Sequence, residues 1–402
     1  MAHSFSIERG TELKVKQARL GAARYAPAAA ALALALMALL FYFVTYLVYA
    51  RSLFAFPFDY DQGEGFELYD AIRLARGENI YLDNAQYPFY ASNYPPVYRL
   101  MLAPLVALFG PHIWVGRALT FATSLVLGGL IVLAARRLWV AEARTPALLG
   151  TILLPAFAGL AFFAANYVYH VGPLARAHLP MVMFAFAGLL CLDVALAAKP
   201  SARWAALGVA LLVTAGFTKL QAVDALAAGF GYLLLRQPRW CLRALLISAF
   251  VTAAIVLALN VATQGQFWLN VVLANVNEYD IAVTWQTYGQ WFRLQAVLII
   301  CSVLYVGWDA ARATRARSLQ PITVWSLYFV TGSAMGLLTG KWGAGPTYLI
   351  AAIAASCVCT VGLLGRLWGA IAQSVRATLW RPALALLAGV IFLAQSLSLI
   401  HI

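Results

Sequence analysis

Charge is what this sequence has least of: only 11% of its 402 residues are Asp, Glu, Lys or Arg, against about 25% in a soluble globular domain. An ordinary water-soluble fold is therefore excluded. Acids are scarcer than bases, 15 against 28, yet the resulting charge of +13 does not mark a nucleic-acid binder. The basic residues stand singly between apolar runs and never build a basic face. Cysteine is sparse too. Cys191, Cys241, Cys301, Cys357 and Cys359 lie in or beside apolar segments, and the one close pair points to different faces of a helix, so neither a disulfide framework nor a zinc site follows. His112, His170 and His178 lack the spacing of a metal set and read as interfacial or hydrogen-bonded residues. No solenoid repeat or low-complexity linker divides the chain.

What the sequence has is hydrophobicity, 63% of its residues, gathered into runs long enough to cross a bilayer as helices, which takes roughly 20 apolar residues each. Such runs lie near 27–50, 114–135, 147–168, 179–198, 242–262, 322–338, 346–364 and 382–400, with a shorter one at 294–308. The stretch 203–235 fits a tight hairpin of two helices, because basic residues flank both outer ends (Lys199 and Arg203; Arg236, Arg239 and Arg243). The expected fold is thus an all-α integral membrane protein of about eleven transmembrane helices. The polar, basic segment 1–25 precedes the first run, which is too long for a cleavable signal of roughly 7–15 apolar residues and reads as a retained anchor.

Placing the N-terminus in the cytoplasm puts most Lys and Arg in cytoplasmic loops, as the positive-inside rule requires. Most acids, including Asp59, Asp61, Glu64 and Glu67, then fall on the extracytoplasmic side. The apolar stretch 97–109 is too short to span, and letting it span would invert every later loop; it reads as a re-entrant or interfacial helix stopped at Gly110 and Pro111. Residues 26–396 form one membrane domain, with the first extracytoplasmic loop at 51–113. The last six residues, Leu397–Ile402, read like a translated sequencing adapter, so a natural chain continuing beyond Ser396 is expected.

The first outer loop carries the chemistry. Asp59, Asp61 and Glu64 crowd together directly after an anchor, with Gly63 and Gly65 free to turn sharply or approach a ligand. Asp61 can serve as N-cap and Glu64 as the third residue of a capping box opening an amphipathic helix over Glu64–Arg76. On that helix Glu64 shares a face with Leu68, Ala71, Ile72 and Ala75, and a carboxylate on a buried face demands a partner. Acids held so close to a membrane need a cation, a donor or a raised pKa, and are favoured as functional groups. Glu67, Asp70, Glu78 and Asp83 read as solvated charges or partners of Arg73 and Arg76. Tyr94-Pro95-Pro96-Val97 fixes an extended approach to the short helix.

FDYDQGEG (58–65), the following GENIYLD, and SNYPPVYRLMLAPLVALFG (92–110), leading into a helix that begins near Arg117, together resemble the GT-C superfamily of membrane glycosyltransferases. That group includes protein O-mannosyltransferases and aminoarabinose transferases. Weaker echoes are Arg176 in LARAHLPMVMFAFAGLL, Lys219 and Gln221 in TKLQAVDALAA, and Lys341 in GKWGAGPTYLI. The sequence departs from the pattern in having His178 where an acid often follows the arginine, and Thr347 where an asparagine often precedes the tyrosine. The resemblance implies inverting transfer of a sugar from a polyprenyl-phosphate donor to a lipid, glycan or protein acceptor at the outer face of the cell membrane. Asp61, Glu64 or Asp59 would accept the acceptor's proton, and Arg176, Lys219, Lys341 and Arg99 would hold the donor phosphate. Tyr94 and Gln221 would line the site. A lone Arg or Lys at a helix end also serves as a snorkelling interface anchor.

The one cofactor the acidic cluster would suit is a divalent cation (Mg or Mn). The loop 264–293, rich in Asn, Tyr and Trp, reads as an interfacial aromatic belt that could also recognise a sugar. Two other classes compete. A transporter or flippase would share the many helices and intramembrane ionisable groups such as Asp193, Lys219 and Asp224, but would show paired broken helices and an internal repeat, which are not seen. A non-catalytic assembly or scramblase-like component would not cluster acids on one face.

Overall fold

The computed structural model describes residues 2–143, 147–197, 199–374 and 376–398, with 2–22 described by their backbone alone. Its α-helices are α1 (Ala2–Ala55), α2 (Gly63–Ala75), α3 (Val97–Phe109), α4 (Ile113–Ala143), α5 (Leu154–Ala164), α6 (Asn166–Val171), α7 (His178–Ala195), α8 (Ala202–Thr218), α9 (Val223–Arg236), α10 (Pro238–Ala262), α11 (Gln266–Val271), α12 (Ile281–Ala316), α13 (Val324–Met335), α14 (Ile350–Ala372) and α15 (Ala377–Leu397). Among the described residues, seven helices are long and apolar enough to cross a membrane: α1 from Ala23, α4, α7, α10, α12, α14 and α15. Shorter apolar helices among the described residues are α3, α5 with the turn before it, and α8, and the protein is an all-α, multi-pass membrane protein. The hairpin over 203–235 is α8 and α9, and the short helix before Gly110 is α3. Gly110 ends it at φ +87°, a conformation that favours glycine.

Several expected boundaries shift. α1 runs past the expected end at Ala50 to Ala55. The short run 294–308 is the inner part of the much longer α12, so most of the loop foreseen at 264–293 is helical. α12 is kinked at Gln295 (φ −128°), and the Leu294 carbonyl at that break accepts from Gln395 Nε2 (2.8 Å) and Ser398 Oγ (3.0 Å). Side-chain amide and hydroxyl donors thus satisfy backbone that the kink frees, as a lipid-embedded helix requires. Of the residues 397–402, foreseen as foreign, 399–402 lie outside those described.

α14 is the central helix, buried along nearly its whole length and packed by α4, α5, α12, α13 and α15. Its small residues, Ala351, Ala352, Ala354, Ala355, Gly362 and Gly365, let neighbouring backbones approach closely. Two buried polar caps close the bundle's ends. At one, Arg117 of α4 meets Glu64 of α2. At the other, Arg366 Nη2 bridges Glu142 Oε1 (2.7 Å) and Asp309 Oδ1 (2.6 Å), and Asp309 Oδ2 accepts from Ser326 Oγ (2.6 Å). Along α4, Arg117 and Glu142 are about 38 Å apart at 1.5 Å per residue, close to the roughly 40–45 Å of a bilayer with its headgroups.

A candidate active site where two cavities meet

α2 and α3 lie across the end of the bundle where the first loop emerges, and their polar faces hold the loop together. Glu64 is fully buried. Arg117 donates to it twice, Nε to Oε1 (2.8 Å) and Nη2 to Oε2 (2.7 Å), and the backbone N–H groups of Ala175 and Tyr60 add 2.9 Å bonds. Arg117 also donates to the carbonyls of Leu53, Phe56 and Phe58, fastening the end of α1. Burial alone would raise the Glu64 pKa, but these donors outweigh it and hold the carboxyl below its ordinary value. The partner foreseen for Glu64 is therefore Arg117, and a carboxylate so saturated has no lone pair free for a substrate proton. Glu64, expected as a catalytic candidate, is thus turned to Arg117 and does not line the cavity described below.

Arg99 lines the cavity described below but is also heavily paired. Its Nε lies 3.0 Å from Glu67 and 2.7 Å from Asp70, and its Nη1 donates to the Tyr94 carbonyl (2.8 Å), so it braces α3 against α2. Glu67 and Asp70, expected in solvent or paired with Arg73 or Arg76, are buried against Arg99 instead. Burial pushes both carboxyls above their ordinary values, two acids sharing one cation. Asp70 also accepts from Ser92 Oγ (2.6 Å) and Tyr90 OH (2.8 Å). Glu78 does pair with Arg73, at 3.2 Å. Asp59 is exposed, lies against Gly65, and does not line the cavity described next.

Asp61 is different. Its side chain is partly exposed; Oδ1 accepts from the Gly63 N–H (3.1 Å) and Oδ2 faces Arg176 Nε at 3.5 Å. Gly63 makes this possible, since a Cβ there would fall 1.0 Å from Arg176 Nη1. Asp61 and Arg176 open, with Glu67, Tyr94, Arg99 and Trp342, onto a polar cavity of about 430 Å³. Beside it a second, apolar groove of about 790 Å³ runs down between α8 and α10, from Pro96, Val97 and Leu100 to Trp240 and Arg243. The rigid Tyr94-Pro95-Pro96-Val97 segment divides the two: Tyr94 faces the polar cavity, Pro96 and Val97 the groove.

Lys219 stands at this junction, in the link between α8 and α9, two residues after the groove-lining Phe217. Its ammonium is buried, lies over the rings of Tyr94 (4.9 Å) and Tyr348 (5.6 Å), and is 2.9 Å from His178 Nδ1, which accepts from it while the imidazole is neutral. Burial first, and then the charge of Arg176, hold Lys219 well below the ordinary lysine pKa. Lys341 Nζ donates to the Asn275 carbonyl (2.9 Å), next in sequence to cavity-lining Trp342. Gln221 is buried nearby, its Nε2 3.5 Å from the Thr347 carbonyl and its Oε1 without a partner. The asparagines of the 264–293 segment are fasteners rather than free sugar readers. Asn270 bonds Leu82 O (3.0 Å), Asn275 bonds Asn93 O (2.8 Å) and Asn277 bonds Trp342 O (3.1 Å). Among the described residues no three His, Cys, Asp or Glu side chains converge as cation ligands. Glu64 is taken up by Arg117, and Asp61 faces Arg176.

Sequence reasoning missed the partnership of Arg117 and Glu64, and the places of Tyr348 and Trp342. The only available signal was an arginine at the very start of an apolar helix and aromatics beside a lone lysine.

No protein-family model matches the chain, and no curated protein matches it in sequence. Solved structures of similar fold include ArnT from Cupriavidus metallidurans bound to undecaprenyl phosphate, with a TM-score of 0.57 and 16% identity over 89% of this chain and 76% of that chain. The same protein in the apo state gives a TM-score of 0.51 and 17% identity over the same shares. The fold implied by the sequence resemblance is thus the fold observed.

Proposed function

We propose that this protein is a membrane glycosyltransferase of the GT-C type, moving a sugar from a polyprenyl-phosphate donor to an acceptor hydroxyl on the extracytoplasmic face. The observation that carries this reading is the pairing of an apolar groove, which suits an isoprenoid tail, with a neighbouring polar cavity that holds Asp61, while the Lys219 ammonium lies over Tyr94 of the segment that separates the two. The fold shared with a protein crystallised with undecaprenyl phosphate supports the same donor class.

In the reaction Asp61 takes the acceptor's hydroxyl proton as that oxygen attacks the anomeric carbon from the face opposite the phosphate. A new carbon–oxygen bond forms, the bond to the phosphate oxygen breaks, and the lipid phosphate leaves with the electron pair and inverted stereochemistry at carbon. Arg176, Lys219 and Lys341 offset the growing charge on the phosphate. The long 3.5 Å contact between Arg176 and Asp61 is readily given up when a phosphate draws the guanidinium away, which frees Oδ2 to act as base.

The test is direct binding. Undecaprenyl phosphate should be retained by the wild-type protein in native mass spectrometry and lost from Lys219→Gln at equal folded abundance. Equal retention by both would remove the phosphate site from this junction.

A further inference from the structure

The polar cavity carries more information than the position of its carboxylate. Phe66, Phe89 and Trp342 line it while remaining 50%, 70% and 75% exposed, so three large rings stand uncovered around one opening. Phe89 holds its place with φ +57°, a left-handed conformation that bulky residues rarely adopt, and such positions persist where the surroundings impose them. Trp342 is fixed through its backbone, its N–H donating to Glu278 O (2.8 Å) and its carbonyl accepting from Asn277. The exposed carboxamides of Gln62 and Asn93 line the same space.

The charges of this cavity cancel locally. Arg99 is paired with Glu67 and Asp70, and Arg176 with Asp61, while Lys219 and Lys341 are absent from its lining. Arg176 is the one loosely held cation of the lining, and in the proposed transfer it serves the donor phosphate, which leaves none for an acceptor phosphate. Pyranose rings have flat C–H faces that lie on aromatic rings and hydroxyl edges that bond to amides and carboxylates, which is the combination this cavity offers.

We propose that the cavity is an acceptor subsite for a neutral carbohydrate, stacked against Phe89 and Trp342 and aligned by Gln62 and Asn93, so that the acceptor is a glycan rather than a phosphorylated lipid or a polypeptide. This rests on the transferase reading for the role of acceptor, not for the binding itself.

The test uses the full chain in nanodiscs, observed by saturation-transfer NMR. The probes are the methyl glycosides of glucose, galactose, mannose and arabinose, the disaccharides lactose and maltose, glucose 6-phosphate, and a Ser/Thr-containing peptide. Neutral glycosides should bind, and Phe89→Ala and Trp342→Ala should each weaken that binding about tenfold with unchanged melting temperature and unchanged undecaprenyl phosphate retention. Preference for the peptide or for glucose 6-phosphate, binding insensitive to both variants, or no binding of any neutral glycoside would each overturn it. The lipid separates the two readings. Glycoside binding without undecaprenyl phosphate retention would sink the transferase and leave the subsite, whereas retention without glycoside binding would sink the subsite alone.

Discussion

Removing the charge of Glu64 strands Arg117 in a fully buried position, and breaking a buried pair in this way costs about 3–5 kcal/mol. Glu64→Gln is therefore predicted to lower the melting temperature and the folded yield in detergent, measured by fluorescence-detected size exclusion. The double change Glu64→Leu with Arg117→Leu should recover part of the loss, because no uncompensated charge remains. Lys219 gives a prediction in pH. Burial and the nearby Arg176 hold its pKa below the ordinary lysine value, so the free protein loses this cation earlier than usual as the pH rises. Undecaprenyl phosphate affinity should accordingly fall with rising pH, beginning below the ordinary lysine range, and this dependence should be much reduced in Lys219→Gln. Affinity that stays flat in the wild type over the same range would place the phosphate elsewhere.

The helix elements were largely legible in the sequence, for a physical reason: in hydrocarbon every backbone polar group must bond within its own helix, so apolar length and Lys/Arg asymmetry nearly determine the layout. The α8–α9 hairpin and α3 follow from that alone. The kink of α12 at Gln295 did not, since it depends on Gln395 and Ser398, about a hundred positions away in the chain. The site was legible only in part. Asp61, Arg176, Tyr94 and Lys219 come together as the first-loop and helix-end patterns implied, whereas Arg99 and Glu64 turn inward to partners that only tertiary packing supplies. The α8–α10 groove tests the elements directly. Ala206 lines it and is exposed, so Ala206→Trp should fill it without disturbing the buried core. Stabilisation of the wild type by undecaprenyl phosphate, which at a hundredfold excess over Kd is worth about 2.7 kcal/mol, should shrink to near zero in this variant.

At the scale of the whole molecule, the two ends of the bundle do different work. The Arg366–Glu142–Asp309 cluster ties one end together with ion-paired charges, while the other end opens into a cavity holding one partly exposed carboxylate, with a groove beside it. That polarity fits the proposed transfer from a lipid carrier, and it follows from the first-loop acids being divided between internal ion pairs and the cavity. The most direct measurement compares envelope glycans and glycolipids by mass spectrometry among cells carrying the wild-type gene, a deletion, and Asp61→Asn at equal abundance. Loss of a general base costs about 100- to 10,000-fold in rate, so Asp61→Asn is predicted to reproduce the deletion, with the same defined sugar missing. Glycans of wild-type composition in Asp61→Asn cells, alongside a defect in the deletion, would contradict the assignment of Asp61 as the base.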